Sequence, residues 1–296
     1  PYWFQYKEQY HRAAQRTLPP EIKPAKGSGS FLNGKKLVIG IVVPALITLI
    51  IVLLISIGAF QSSKAEEFTD DFHSVSEDSL NSRGWFARSK DTEYWNRRGE
   101  KPGYLTLFTL RGDNWPDSME APLIKNLLLR KIPSNCFIAE VHLSNFIPHQ
   151  NWQQAGIILL EDTAFIGKSV RLSLAYNDFF GGAPASREIL IQAITSLGKG
   201  FNKPEEIAHQ VIFSLDSSKE NFARTNLQNA ALRIEKQDKK IRFVFANGSM
   251  ENSAFKELAS QDFDMQPKYI GIFALKGFVN EADNLPAYFK HFSLVT

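Results

Sequence analysis

The chain has 296 residues, of which 44% are hydrophobic and 22% are charged, and its formal net charge is +3. These averages are typical of one or two soluble domains, but residues 37–60 contain no charged side chain over 24 positions, which excludes a uniformly soluble chain. At ~1.5 Å per residue, a helix over this segment extends roughly 36 Å, enough to cross a hydrocarbon core of about 30 Å. The sequence therefore predicts a single transmembrane helix over 37–60.

The charges on either side of this segment predict its orientation. Residues 1–36 contain seven Lys and Arg against two Glu, a net charge of +5, which leaves −2 for residues 61–296. Because basic flanks remain in the cytoplasm, we expect an anchor in the plasma or inner membrane with residues 1–36 cytoplasmic. Residues 61–296 then form an extracytoplasmic domain, periplasmic or extracellular. No nucleic-acid partner is expected, since this domain is slightly acidic.

Residues 1–36 combine an aromatic cluster with a linker rich in Pro, Gly and Ser. The aromatic residues predict contact with a partner or with the membrane interface: Tyr2, Trp3, Phe4, Tyr6 and Tyr10. The apolar segment itself contains no ionisable residue, so we expect an anchor and not an ion pathway.

Beyond residue 60 the apolar pattern changes to a period of two, which is typical of strands. Alternate residues of two runs fall on one face: Phe137, Ala139, Val141 and Leu143 in the first, and Ile241, Phe243 and Phe245 in the second. Ten to twelve such runs with few helical patterns predict an all-β antiparallel sandwich or barrel. One helical turn is expected over 203–209. The only cysteine of the sequence, Cys136, excludes an intrachain disulfide, and its apolar neighbours predict a buried, unreactive thiol.

Several segments resemble a known module when they are taken in order. They are Asp71-Phe72, Gly84-Trp85, the strand from Tyr104 to Leu107, IPSNCFIAEVHL, WQQAGIILLEDTAFIGKSVRLSL over 152–174, ALRIEKQDKKIRFVFA, YIGIFAL and FKHFSL. The series, over about residues 68–296, resembles a concanavalin A-like (laminin-G-like) jelly roll, specifically the C-terminal accessory domain of family-43 β-xylosidases. His291 departs from that pattern at a position where an acidic residue is common. The resemblance implies a jelly-roll sandwich preceded by one transmembrane α-helix.

In those xylosidases the jelly roll lies beside a separate catalytic propeller, so the resemblance implies binding or positioning and not catalysis. Glucanases of the same broad class use a Glu-x-Asp-x-x-Glu strand, which this sequence lacks. Gly-x-Ser-x-Gly and histidine pairs with zinc-ligand spacing are absent as well. We therefore expect no catalytic residue.

Two kinds of ligand remain as hypotheses. Sugar stacking needs exposed rings beside polar groups, and the residues in loop-like contexts are Tyr94, Trp95, Trp115, Tyr176 and Asn177. For Trp95 and Trp115, core or interface packing is favoured over ligand stacking, and Trp85 and Trp152 are expected in the core. No cofactor is required, although jelly rolls often hold a structural calcium ion near the chain ends, for which Asp70, Asp71 and Asp283 are the candidates.

The leading hypothesis is a non-catalytic, single-pass accessory or scaffold subunit. Its extracytoplasmic jelly roll would pack on other subunits of a membrane complex, with respiratory and photosynthetic complexes as candidate hosts. The alternative is a cell-surface carbohydrate-binding module, suggested by the resemblance and the loop tryptophans. A residual glycoside hydrolase is the third hypothesis.

Overall fold

The computed structural model describes residues 66–113, 115, 120–150, 152–177, 188–201, 203–214, 229–247, 254–277 and 282–296. The predicted transmembrane segment 37–60 and the aromatic cluster of residues 1–36 lie outside these ranges. Within the ranges, no helix has the length and apolar character needed to cross a bilayer.

Strands dominate the described part of the chain. In order, the elements are β1 (Glu67–Asp70), α1 (Glu77–Ser82), β2 (Trp85–Arg88), α2 (Thr92–Asn96), β3 (Leu105–Phe108), β4 (Leu110–Arg111), β5 (Leu127–Lys131), β6 (Phe137–Ser144), β7 (Gln154–Leu160), β8 (Ser169–Asn177), β9 (Glu188–Ser196), β10 (Glu205–Ser214), β11 (Asn229–Gln237), β12 (Lys240–Asn247), β13 (Lys256–Asp262), β14 (Tyr269–Lys276) and β15 (Pro286–Val295). The prediction of an all-β antiparallel domain is confirmed for the described residues beyond residue 65. The short helices begin at polar caps: the Ser76 side chain accepts from Ser79 N at the start of α1.

The described strands form two antiparallel sheets that pack face to face. Sheet I has the order β1-β15-β6-β11-β12-β13, with β3 also paired to β15. Sheet II has the order β10-β9-β8-β7-β14-β5-β2, with the short β4 parallel to β14. Strands distant in sequence are neighbours, as between β1 and β15. This arrangement is the antiparallel sandwich expected of a jelly roll.

The main core lies between the inner faces of the two sheets. The alternation predicted for β6 and β12 is confirmed, since Val141 and Phe243 are fully buried there together with their period-two neighbours. Trp85 is also buried, as predicted, and its ring packs edge-on against Phe292 with centroids 4.8 Å apart. Burial on this scale is the principal source of stability for a domain in which the described residues contain no disulfide.

The outer face of sheet II is also largely covered. A second apolar cluster covers part of it and comprises Ile124, Leu127, Leu129, Ile158, Leu160, Phe165, Phe273 and Leu275. Beside this cluster the same face is polar, and a cavity opens there. Along β7, β8 and β9 nearly every residue is buried, on the outer face as well as the inner one, which explains why these strands read as nearly continuous apolar runs.

Two local expectations were wrong. The helical turn predicted over 203–209 is the start of strand β10, because backbone pairing with β9 over Glu205–Ser214 outweighs the local preference after Pro204. Cys136 is exposed, since it lies in the turn before β6, where only the following residue, Phe137, points into the core.

A polar network covers the outer face of sheet I. Glu140 accepts from Arg233 Nε at 2.7 Å and lies 2.5 Å from His142 Nε2, while Asp71 lies 2.6 Å from His291 Nδ1. Burial opposes the shift at Glu140, but hydrogen bonds from His142 and Arg233 lower the pKa of that carboxyl. At Asp71, the hydrogen bond from His291 lowers the pKa. Both carboxylates therefore stabilise the fold mainly in their ionised form.

This network gives a pH prediction. Because the pKa of Glu140 is lower in the folded than in the unfolded chain, its contribution is fully present above the unfolded value of 4.5 and is lost as the pH falls below it. We expect the midpoint of thermal unfolding to fall between about pH 6 and about pH 3, and to fall less in Glu140→Gln. Circular dichroism melts of both proteins across this range test the prediction, and parallel pH profiles would contradict it.

Candidate functional site

A cavity of about 340 Å³ opens on the polar part of the outer face of sheet II. Its lining combines aromatic, amide and charged side chains with small residues: Gly112, Asp113, Trp115, Trp152, Gln154, Arg171, Gln192, Glu206, Leu275 and Gly277. A concave site that mixes rings with a few polar groups is the common form of a small-molecule or sugar site.

Three adjacent strands, β8, β9 and β10, bring polar residues of this face together. Strand pairing places Arg171 of β8 opposite Ile194 of β9, which is itself opposite Glu206 of β10. In the next row, Ser173 of β8 lies opposite Gln192 of β9. Side chains two residues apart on one strand share a face, so these polar side chains all point away from the core.

Glu206 lies at the rim of the cavity, where it joins two neighbours. Gln192 Nε2 donates to one carboxylate oxygen, and His209 Nδ1 lies 2.5 Å from the other. A break in strand register follows Glu206 in β10, and such β-bulges redirect side chains at the edge of a sheet. Gln192 is almost wholly buried, whereas the Glu206 side chain is 33% exposed, so the carboxylate is accessible from the cavity.

Arg171 is the buried cation of the site. Burial lowers the pKa of its guanidinium to about 9, and the negative charges of Asp113 and Glu206 oppose this shift. The side chain is therefore protonated at neutral pH, with two carboxylates close enough to stabilise its charge. Its guanidinium carbon lies 5.7 Å from the centre of the Trp115 ring, within the range of a cation–π contact.

Trp115 and Trp152 provide the aromatic part of the lining. Trp115 is 40% exposed, and its backbone N–H donates to Asp113 Oδ1 at 2.8 Å. Trp152 is half-buried and adopts a left-handed backbone conformation, with φ of 51°, immediately before β7. Its carbonyl accepts from Gln154 Nε2 at 3.2 Å. The turn thus holds the Trp152 ring and the Gln154 amide in one part of the cavity.

The Ser173 hydroxyl is a further polar group on the outer face of sheet II, beside Gln192 of the cavity lining. Ser173 lies in one cross-strand row with Gly156 of β7 and Gln192 of β9, is fully buried, and has no partner for its hydroxyl among the described residues. Leaving a buried hydroxyl without a partner costs about 1–3 kcal/mol. Together, the rings, amides, carboxylates, guanidinium and hydroxyl have the chemistry that recognises a polyhydroxylated ring.

Among the residues predicted to stack on a sugar, Trp115 lines the cavity and the others do not. Trp95 and Tyr176 belong to the core cluster between the sheets, so the stacking role proposed for them is wrong because both rings are covered. Trp95 instead packs as its alternative role proposed. The Tyr94 hydroxyl accepts from Asn284 Nδ2 at 2.8 Å beside Phe108, and Asn177 ends strand β8.

The residues proposed for calcium do not converge. Asp70 is buried and accepts hydrogen bonds from Arg83, Trp85 and the Phe72 backbone, whereas Asp71 lies beside His291. Asp283 lies near His149, before strand β15. No group of three His, Cys, Asp or Glu side chains within the described ranges is arranged to hold one metal ion.

Sequence reasoning missed most of the cavity, although a signal was present. Gln154, Arg171 and Gln192 are polar residues inside strands that are otherwise apolar, each at a position that faces away from the core. A polar side chain within a run buried on both faces is unusual and points to a polar site. Trp152 was expected in the core, whereas it is half-buried in the wall of the cavity.

The described strands form a β-sandwich of the concanavalin A-like type, and comparison with known proteins agrees. A family model, the beta xylosidase C-terminal concanavalin A-like domain, matches residues 69–174. The match extends from the end of β1 to Leu174 in β8. It therefore includes the lining residues Trp115, Trp152, Gln154 and Arg171 of the cavity. Comparison with curated proteins gave no significant match.

Solved structures of GH43 proteins share this sandwich. A GH43 protein from Bacillus licheniformis, BlXynB, superposes with a TM-score of 0.52 at 19% identity, over 77% of this chain and 39% of that chain. An engineered GH43 glycoside hydrolase described as having both endo-xylanase and exo-arabinofuranosidase activity superposes with a TM-score of 0.50 at 15% identity, over 77% and 40%. The chain thus spans about two fifths of the length of these enzymes. The findings favour the carbohydrate-binding alternative over the accessory subunit of a membrane complex.

Proposed function

We propose that this protein is a carbohydrate-binding module whose ligand occupies the cavity on the outer face of sheet II. The observation that supports the proposal most strongly is the convergence of Trp115 and Trp152 with Arg171, Gln192 and Glu206 on one concave surface. Aromatic faces pack against the C–H faces of a pyranose, while amides and carboxylates bind its hydroxyls. The GH43 neighbours make xylan-type sugars the first ligands to test.

Each wall of the cavity has a separate part in the proposed binding. The exposed Trp115 ring offers a stacking surface, and Trp152 adds a second aromatic ring to the lining. Glu206 accepts hydrogen bonds from sugar hydroxyls at the rim, while the Arg171 guanidinium donates hydrogen bonds to sugar oxygens from the floor. Because Gln192 is already bonded to Glu206, it holds that carboxylate in position in the absence of ligand. Such pre-organisation lowers the entropy cost of binding.

Affinity measurements with Trp115→Ala test the proposal. We expect a glycan array, followed by titration calorimetry with xylotriose and the strongest array ligand, to give saturable binding. We expect Trp115→Ala to weaken it about ten-fold, because a stacked ring contributes on the order of 1 kcal/mol or more. Phe201→Ala is the matched control, since it also removes an exposed ring but one that does not line the cavity. Equal affinities of all three proteins would refute the site.

We also propose that the module binds sugar without cleaving it. The absence of the Glu-x-Asp-x-x-Glu strand motif from the sequence supports this view. Incubation of the full-length protein with xylan and xylotriose, followed by chromatography of the products, tests it. The appearance of shorter sugars in proportion to protein concentration would refute the non-catalytic proposal and leave the binding proposal intact.

The apolar segment 37–60 supports the further proposal that the module is tethered to a membrane. Flotation of the expressed chain with membranes in carbonate, and its release when residues 37–60 are deleted, tests this location. Co-purification of partner proteins at fixed stoichiometry in a mild detergent would support the accessory-subunit hypothesis. The residues of the cavity give no support to that hypothesis.

A further inference from the structure

Two neighbouring loops at one end of the sandwich expose large apolar side chains. Ile166 of loop 161–168 is 61% exposed, and Leu197 and Phe201 of loop 197–201 are 41% and 57% exposed. We call these three side chains the apolar tip. They do not line the cavity on sheet II, so their exposure is unrelated to the proposed sugar site.

The backbone holds the two loops against each other. Lys199 N donates to Ile166 O at 3.0 Å, and a Cβ at Gly198 would lie 2.2 Å from the same oxygen. The Asp162 carboxylate accepts from the backbone N–H groups of Ala164 and Ile166 at 2.8 and 3.2 Å. The exposed side chains therefore stand on a fixed platform, and their exposure is a property of the fold.

Lysines surround the tip. The exposed Lys199 and Lys203 flank Phe201 in the sequence, whereas the ammonium of Lys168, two positions after Ile166, donates to the Asp264 carbonyl. The acidic residues of the same loops, Glu161 and Asp162, are turned toward backbone donors: Glu161 accepts from Lys168 N and Gln266 N at 2.9 Å. Exposed apolar and aromatic side chains among lysines are the composition of surfaces that bind bilayers with anionic headgroups.

Strand registers place the start of the described domain at this same end. Glu67 pairs with Val295, and Val295 with Ile138 at the start of β6. Strand β5, which precedes β6 in the chain, ends at Lys131. Lys131 pairs with Tyr269, and Tyr269 pairs with Leu160, the residue just before loop 161–168. Glu67 and this loop therefore lie at the same end of the sandwich. In the sequence, only residues 61–65 separate the apolar segment 37–60 from Glu66.

From these observations we propose that the apolar tip contacts the surface of an anionic lipid bilayer. Ile166, Leu197 and Phe201 enter the interface between headgroups and acyl chains, while Lys199 and Lys203 lie among the headgroup phosphates. In the sequence, only five residues separate the described domain from the segment 37–60, for which a membrane tether is proposed above. In this orientation the tip fixes how the sandwich stands on the membrane surface, independently of any sugar.

Site-directed fluorescence in vesicles tests the contact. The full-length protein is reconstituted into phosphatidylcholine vesicles with or without phosphatidylglycerol, in a Cys136→Ser background because Cys136 is exposed. An environment-sensitive dye is attached at Phe201→Cys, or at Asp283→Cys as the control. Asp283 is exposed at the other end of the sandwich, before the start of β15. A lipid bearing a nitroxide near its headgroup serves as the quencher.

We expect a blue-shifted dye at position 201 that the nitroxide lipid quenches at least about two-fold more than the dye at position 283. Lys199→Glu with Lys203→Glu should reduce this quenching in anionic vesicles, because each lysine near such a surface favours contact about five-fold. Equal quenching at the two positions would overturn the proposal, as would failure of the chain to float with vesicles. A shift at position 201 that follows protein concentration without lipid would also overturn it and assign the tip to a second copy of this chain.

Discussion

Replacing Asp70 by alanine should lower the free energy of unfolding by about 3 kcal/mol, although the adjacent Asp71→Ala should cost less than about 1 kcal/mol. The Asp70 carboxylate is buried and accepts three hydrogen bonds, from Phe72 N at 2.9 Å and from Trp85 Nε1 and Arg83 Nε at 2.8 Å each. Its loss leaves a buried indole N–H without its acceptor and removes the ion-pair partner of Arg83. Asp71, by contrast, is 56% exposed and bonds a histidine at the surface.

The Asp70 contacts also explain how the two ends of the domain are held together. Strand β1 pairs with β15, and the carboxylate at the end of β1 fixes Trp85 against Phe292 of β15. Phe72, which follows, has a left-handed backbone with φ of 52°, stabilised by the bond to Asp70. Removing the carboxylate therefore loosens the edge of sheet I and the most buried aromatic contact of the core.

Thermal and urea unfolding of the full-length protein, followed by near-ultraviolet circular dichroism of the buried tryptophans, measures this effect. Each variant is melted with added calcium and with a chelator. If Asp70 and Asp71 instead shared a calcium ion, both variants would lose similar stability, and the chelator would destabilise the wild type to the same level. The predicted result is a large deficit for Asp70→Ala alone, unchanged by either addition.

The inner faces of the sandwich could be predicted well from the sequence, because one physical rule determines them. Side chains of a strand alternate between core and exterior, so the alternation around Val141 and Phe243 identifies the buried faces from the order of residues alone. The resemblance to a xylosidase jelly roll then favoured a sandwich, whereas alternation alone leaves a sandwich and a barrel open.

Prediction was poorer for features set by long-range pairing. Strand β10 was mistaken for a helical turn because an edge strand is specified by its neighbour β9 more than by its own residues. The cavity was missed for a related reason. Arg171, Gln192 and Glu206 are up to 35 positions apart in sequence, and only the order β10-β9-β8 makes them neighbours. Loop aromatics were judged by local context, which does not distinguish the covered Trp95 from the open Trp115.

The two faces of sheet II have different roles in the proposed function: the inner face stabilises the fold, and the polar part of the outer face binds the ligand. Its inner face belongs to the main core, and part of its outer face is covered by the cluster around Phe273. The polar part places a cation, amides and a buried hydroxyl where apolar side chains would be more stable. A lower stability at such positions is common at binding sites. Substitutions here should therefore change ligand affinity and the free energy of unfolding in different directions.

Arg171→Met is the variant that should show this separation most clearly. Methionine keeps much of the aliphatic volume but removes the charge, and we expect sugar affinity to fall about 30-fold, since a hydrogen bond from a charged donor contributes about 1.5–3 kcal/mol.

The unfolding midpoint of Arg171→Met should stay equal or rise, because burial lowers the pKa of Arg171 to about 9. A cation with a lowered pKa destabilises the folded state below that pH, and stability recovers as the pH rises through it. Wild-type binding should accordingly weaken above about pH 9, and residual binding by the variant should not change there.

Arg130→Met is the matched control for that experiment. Arg130 is also a partly buried arginine of sheet II, and burial also lowers its pKa, but its guanidinium lies 3.3 Å from the Phe68 ring centre and outside the cavity lining. We expect this variant to lose stability through the lost stacking while it binds sugar like the wild type. Calorimetric titration and thermal melts of both variants separate the two roles. If Arg171→Met bound as tightly as the wild type, or lost as much stability as Arg130→Met, Arg171 would be a structural residue and the ligand would have to bind elsewhere.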